Sequence, residues 1–201
     1  MKKLNIITFF TILTFFLLIS TYGIFESGIF RDVIMDISKW EVEINGSIVT
    51  NEQKTFSVND ITWNYSDNVA AGKVAPGMDG YFDIIIDPKS TDVSVRFDIT
   101  YDIDFLNQIN PAIIVTKVEE INGNKIILTD KNTYTGVIDI EEINSGKIYT
   151  IRTYIKWEDL IENNELDYLM GSTYSEFELP VSINVTQYIG EEIIEYIDSE
   201  D

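Results

Sequence analysis

Residues Asp92 to Phe105 alternate without a break, with Val93, Val95, Phe97, Ile99, Tyr101, Ile103 and Phe105 on one side and Asp92, Ser94, Arg96, Asp98, Thr100, Asp102 and Asp104 on the other. A period of two held over this length predicts a strand with one buried and one wet face. Burying seven such side chains contributes roughly 10–20 kcal/mol gross, at about 1.5–3 kcal/mol each, before chain entropy is subtracted. No other segment promises as much.

The neighbouring segments carry the same signature more weakly. Ser38 to Ile44 leads into Asn45-Gly46, and Ala112 to Ile121 leads into Asn122-Gly123. Each dipeptide suits a two-residue turn with positive φ, so two hairpins are expected. Tyr81 to Asp87, Lys147 to Trp157 and Val181 to Ile189 alternate as well, and Lys125 to Thr129 and Gly136 to Ile140 add short strands. About eight strands in all imply an all-β, jelly-roll-like β-sandwich. Helix is confined to short connections, chiefly Glu158 to Met170, where Leu160, Ile161, Leu166 and Leu169 sit among acids and asparagines. Ile29 to Ile37 fits two periods at once: Ile29, Phe30, Val33, Ile34 and Ile37 share a helical face, while Ile29, Val33, Met35 and Ile37 share a strand face. It reads either as the first strand or as a loose arm.

Ahead of these strands stands an export signal. Lys2 and Lys3 precede an apolar run from Leu4 to Ser20, and Thr21-Tyr22-Gly23 follows at once. The lysines stay on the cytoplasmic face, the run enters the bilayer as an apolar helix, and Thr21 and Gly23 offer small side chains to a signal peptidase. The same 17 residues stand at the lower limit of a membrane span, so an uncleaved anchor is the competing reading. A lipoprotein signal is excluded, because the chain has no cysteine. The expected division is a signal peptide or anchor over 1–23, an N-terminal arm or first strand over 24–37, a β-sandwich over 38–190 and an acidic tail over 191–201. The site of action is extracellular or at the cell surface, membrane-anchored if the signal stays. Without disulfides, stability rests on the core or on assembly.

Charge and composition narrow the chemistry. Thirty-four acidic residues face 14 basic ones, a net charge of -20, and such a surface repels nucleic acid and anionic headgroups. The chain has no histidine. That excludes a His-Glu-His zinc protease and a Ser-His-Asp triad, and the lack of cysteine excludes a thiol nucleophile. Paired carboxylates abound, but a chain this acidic produces them by chance, and no enzyme is expected. No cofactor is expected either, with calcium as the one ligand for which donors exist. Its candidates are Asp87 and Asp92 around an acidic loop, and Asp98, Asp102 and Asp104 along one strand face. Ordinary solvated carboxylates are the plainer reading of the same residues.

Three segments in order carry a resemblance: Ile37-Ser38-Lys39-Trp40-Glu41-Val42-Glu43-Ile44-Asn45-Gly46, then Val74-Ala75-Pro76-Gly77-Met78-Asp79-Gly80-Tyr81-Phe82, then Val181-Ser182-Ile183-Asn184-Val185-Thr186-Gln187. Together behind a signal peptide, they resemble the TasA and camelysin-like exported proteins of Gram-positive bacteria, whose signals are of the SipW-processed type. In physical terms Pro76 fixes φ at the start of a turn, and Gly77 and Gly80 are expected to supply positive φ where the chain reverses. The resemblance implies a jelly-roll subunit that self-associates into fibres of a biofilm matrix, with room for a matrix co-subunit. One protomer's N-terminal strand would complete the next one's sheet, through Phe25, Ile29, Phe30, Val33, Met35 and Ile37. A monomeric, membrane-anchored acidic binding module is the alternative from a different class.

Overall fold

Asn45 and Gly46 both adopt positive φ, +48° and +75°, and so join β1 (Val42–Ile44) to β2 (Ser47–Val49) in the two-residue hairpin expected of them. The computed structural model describes residues 10–14, 38–49, 53–58, 61–89, 91–173 and 179–198. It separates residues 1–37 from residues 38–201 as two units. In the first, residues 10–14 are helical. No helix among the described residues is long and apolar enough to cross a membrane. Every strand among the described residues lies in the second unit.

Among the described residues, eleven strands lie in two antiparallel sheets. The remaining nine are β3 (Gln53–Val58), β4 (Thr62–Trp63), β5 (Asp79–Asp87), β6 (Val95–Tyr101), β7 (Ile113–Glu120), β8 (Ile127–Asp130), β9 (Thr133–Ile138), β10 (Tyr149–Trp157) and β11 (Leu179–Gln187). One sheet runs β2-β1-β5-β10-β7, with β4 also paired to β5, and the other runs β3-β11-β6-β9-β8. Among the described residues the sheets are connected by α1 (Ile103–Ile109), α2 (Ile140–Asn144) and α3 (Asn164–Thr173), the last preceded by a 3-10 turn at Ile161–Asn163. The expected helix near Glu158 to Met170 is this last pair.

Alternation sets the core. Every second residue of β5, β6, β10 and β11 is buried, including Phe82, Ile84, Phe97, Ile99, Ile151, Ile155, Val181 and Ile183. The sheets meet through edge-on ring pairs, Phe82 on Tyr101 and Phe97 on Tyr149. Between them, the Tyr101 and Thr153 hydroxyls share a buried hydrogen bond of 2.6 Å. Burial pushes the Tyr101 phenol well above its usual range, so it stays neutral.

The structure corrects several sequence expectations. The fourteen-residue alternation is a strand only to Tyr101. Asp102 then accepts the Phe105 N–H at 2.9 Å as an N-cap, and Asp104 complements the first turn. Ile103 and Leu106 also lie one helical turn apart, Leu106 being fully buried and Phe105 38% exposed, so the period changes where the cap begins. Asn122-Gly123 closes no hairpin, because β7 pairs with β10 while β8 pairs with β9 in the other sheet. The buried Glu120 carboxylate accepts from Asn122 Nδ2 and the Asn124 N–H, at 2.9 and 3.1 Å. That wraps the chain around the carboxylate and carries it across. Finally β11 stops at Gln187, leaving Ile189 82% exposed.

Candidate functional site

Sheet ends are where an open sandwich offers unpaired backbone groups. β2 and β7 end one sheet, and β3 and β8 end the other. β2 has three residues. β7 has eight, and its register against β10 shifts between Tyr154 and Ile155, a bulge that bends the strand. β8 is followed along its outer side by the C-terminal tail, where the Tyr196 N–H donates to the Leu128 carbonyl at 2.7 Å. The expected arm residues Phe25, Ile29, Phe30, Val33, Met35 and Ile37, and the cleavage residues Thr21 and Gly23, lie outside the described residues.

The Pro76-Gly77 turn is placed as expected. Gly77 has φ +88°, and the Met78 N–H closes the turn on the Ala75 carbonyl at 3.2 Å. It is fastened to β10, the Gly77 N–H reaching the Trp157 carbonyl at 2.7 Å and the Trp157 N–H the Met78 carbonyl at 2.9 Å. Gly80 has a different task from the one expected. It lies within β5 at a φ open to any residue, but a Cβ there would stand 2.8 Å from the Thr62 carbonyl oxygen and 3.0 Å from the Trp63 ring. Glycine lets β4 approach.

The four calcium candidates are engaged by donors of the protein itself. Asp87 takes the Lys89 N–H and ammonium, and that ammonium also bridges to Glu43. Asp92 accepts the Lys39 N–H at 2.7 Å. Asp98 binds the Arg96 guanidinium and the Thr135 hydroxyl, and Asp102 caps α1. Asp98, Asp102 and Asp104 therefore do not share a strand face. Among the described residues, no three acidic side chains converge as a metal would require.

Other polar groupings emerge only in three dimensions. On the outer face of β5, β10 and β7, Arg152 forks onto Asp83 with two bonds of 2.7 Å and stacks 3.9 Å from the Tyr81 ring. Lys117 foremost, and then Tyr154, bond Glu119 there and hold its carboxyl below the usual range. At one end of the sandwich Glu142 on α2 receives Lys147 at 2.7 Å, the Tyr149 hydroxyl and, at 3.4 Å, the Asn124 amide. Partial burial works against its ionised form. Lys147, Tyr149 and the Asp139 N–H nevertheless hold it below the carboxylate range. Near the other end Asp167 Oδ1 joins Asn110 Nδ2 and the Trp157 indole, at 2.6 and 2.8 Å, and so ties α3 to the sheet. Sequence spacing hides such groupings, since Asn110 and Asp167 are 57 positions apart.

Compared with models of known families, with curated proteins and with solved structures, the chain matches none.

Proposed function

We propose that the chain is an exported structural protein whose copies assemble into extracellular fibres by strand addition, in the manner of the TasA and camelysin-like proteins it resembles. In this reading a signal peptidase removes residues 1–23, and residues 25–37 leave the body of one copy to pair with a sheet edge of the next. Two sheet edges support it, for β7 with eight residues and β3 with six are long enough to be extended by an added strand. So does the strand order. The runs β3-β11-β6-β9 and β5-β10-β7 follow the interleaving of a jelly roll, and β8 departs by joining β9 instead of β7. The protein's work is mechanical in this reading, and its acidic groups keep the surface solvated.

The test is truncation. Protein beginning at Ser38 should remain a folded monomer and form no filaments in electron micrographs, whereas the processed chain should form them. Filaments from the truncated protein would remove the arm from the mechanism. N-terminal sequencing of surface or culture-medium protein adds a second check, with a start near Ile24 or Phe25 expected. A start at Met1 would favour the membrane-anchored module instead.

A further inference from the structure

Three side chains from separate segments meet where the chain crosses between the sheets: Asn124 on the passage from β7 to β8, Glu142 on α2 and Lys147 just ahead of β10. Each is held by its neighbours. The Asn124 N–H bonds the buried Glu120 carboxylate at 3.1 Å. Glu142 Oε2 accepts the Asp139 N–H at 3.3 Å and the Tyr149 hydroxyl, which leaves Oε1 facing the other two groups. The Lys147 N–H closes on the Glu142 carbonyl at 3.2 Å, and its ammonium lies 4.9 Å from the centre of the buried Tyr149 ring. In this setting Lys147 Nζ stands 2.7 Å from Glu142 Oε1 and 3.0 Å from Asn124 Oδ1, and Asn124 Nδ2 stands 3.4 Å from the same Oε1. Lys89, Lys117 and Lys156 meet carboxylates, whereas Lys147 also meets a carboxamide.

We propose that Lys147 and Asn124 join in an intramolecular amide bond, with Glu142 carrying the protons. An amine, a carboxamide carbonyl and one carboxylate oxygen touching both are the parts that aminolysis of an amide requires. Since Oδ1 is about 1.2 Å from Cγ, a small rotation of Asn124 brings Nζ to an attack distance of about 3–3.5 Å. One proton passes from Nζ to Oε1, and the freed electron pair bonds Cγ. Oε1 then gives that proton to Nδ2 and takes the next from Nζ as the Cγ–Nδ2 bond breaks, and ammonia leaves with the proton on Oε1 as ammonium. One carbon–nitrogen bond forms, one is lost, and nothing is oxidised or reduced. Holding the reactants in contact replaces the encounter that makes this reaction slow between free molecules. The product is a covalent ring over residues 124–147 that encloses β8, β9 and α2. It restricts the unfolded chain as a disulfide would, in a protein without cysteine. Until it closes, the three groups act through an ion pair and hydrogen bonds, and the acid response of Glu142 belongs to that unlinked form. The bond is independent of whether copies assemble.

Intact-mass measurement and peptide mapping of the folded full chain, incubated for days at neutral pH, test it. The chain should weigh one ammonia less than its sequence gives for the N-terminus it carries, and proteolysis should yield one branched peptide joining Asn124 to Lys147. Lys147→Arg, Asn124→Ala and Glu142→Ala should each restore the full sequence mass and release the two peptides separately. Lys147→Arg keeps the positive charge beside Glu142, and it carries the test if Glu142→Ala does not fold. A folded parent of full sequence mass would overturn the inference. So would a deficit that survives Lys147→Arg, the result that cyclisation of Asn124 onto its own backbone would give.

Discussion

Gly136 and Phe97 face each other directly across β9 and β6, and the ring fills the space a side chain would need. A Cβ at Gly136 would stand 2.2 Å from the ring's Cζ and 2.8 Å from both Cε atoms. Gly136→Ala should therefore destabilise the fold by about 1–3 kcal/mol in urea unfolding, and combining it with Phe97→Leu should cost less than the two changes summed. An unchanged midpoint for the single variant would refute this packing. Glu142 yields a prediction of different form. Its carboxyl is held below the ordinary 4.5 in the folded protein, so it contributes stability that is present above about pH 4.5 and lost as pH falls through the lower folded value. Glu142→Gln should flatten that acid-side loss and lower stability at neutral pH by about 1 kcal/mol or less, given its contact with solvent. Neither residue is conspicuous in the sequence. A glycine that houses a facing ring and one that lets a strand approach look alike on the page, which is why Gly80 was expected to turn the chain.

Elements were legible where side-chain period and local chemistry agree. β5, β10 and β11 bury alternate residues as their sequences imply, and Asn45-Gly46 turns as its composition requires. Two elements escaped because they present little apolar pattern: β3, with Phe56 and Val58 among polar residues, and the two-residue β4. The end of β6 was misread for another reason, since Ile103 and Phe105 extend the alternation while Asp102 starts a helix. Removing that cap with Asp102→Ala should cost about 0.5–2 kcal/mol, read as a lower thermal midpoint. A midpoint equal to that of the parent would mean that α1 is held by its packing, through Ile103, Leu106 and Ile109, and not by the cap.

At the scale of the molecule, -20 charges on one chain repel one another, and added salt should raise the thermal midpoint by screening them. Calcium and sodium chloride at equal ionic strength are expected to act alike, because the candidate carboxylates already have lysine, arginine or backbone partners. A rise specific to calcium, abolished by chelator, would contradict that assignment. The all-β class and the two-sheet arrangement follow from the patterning, whereas the passage of β8 to the opposite sheet depends on the buried Glu120, which no local signal marks. The place of β11 bears on biosynthesis. It is last in sequence yet stands between β3 and β6, with six and seven paired positions on its two sides. One of the two sheets thus waits for residues 179–187 to be synthesised, so its pairings of widest sequence separation close late and the strands made before it stay pliable until then.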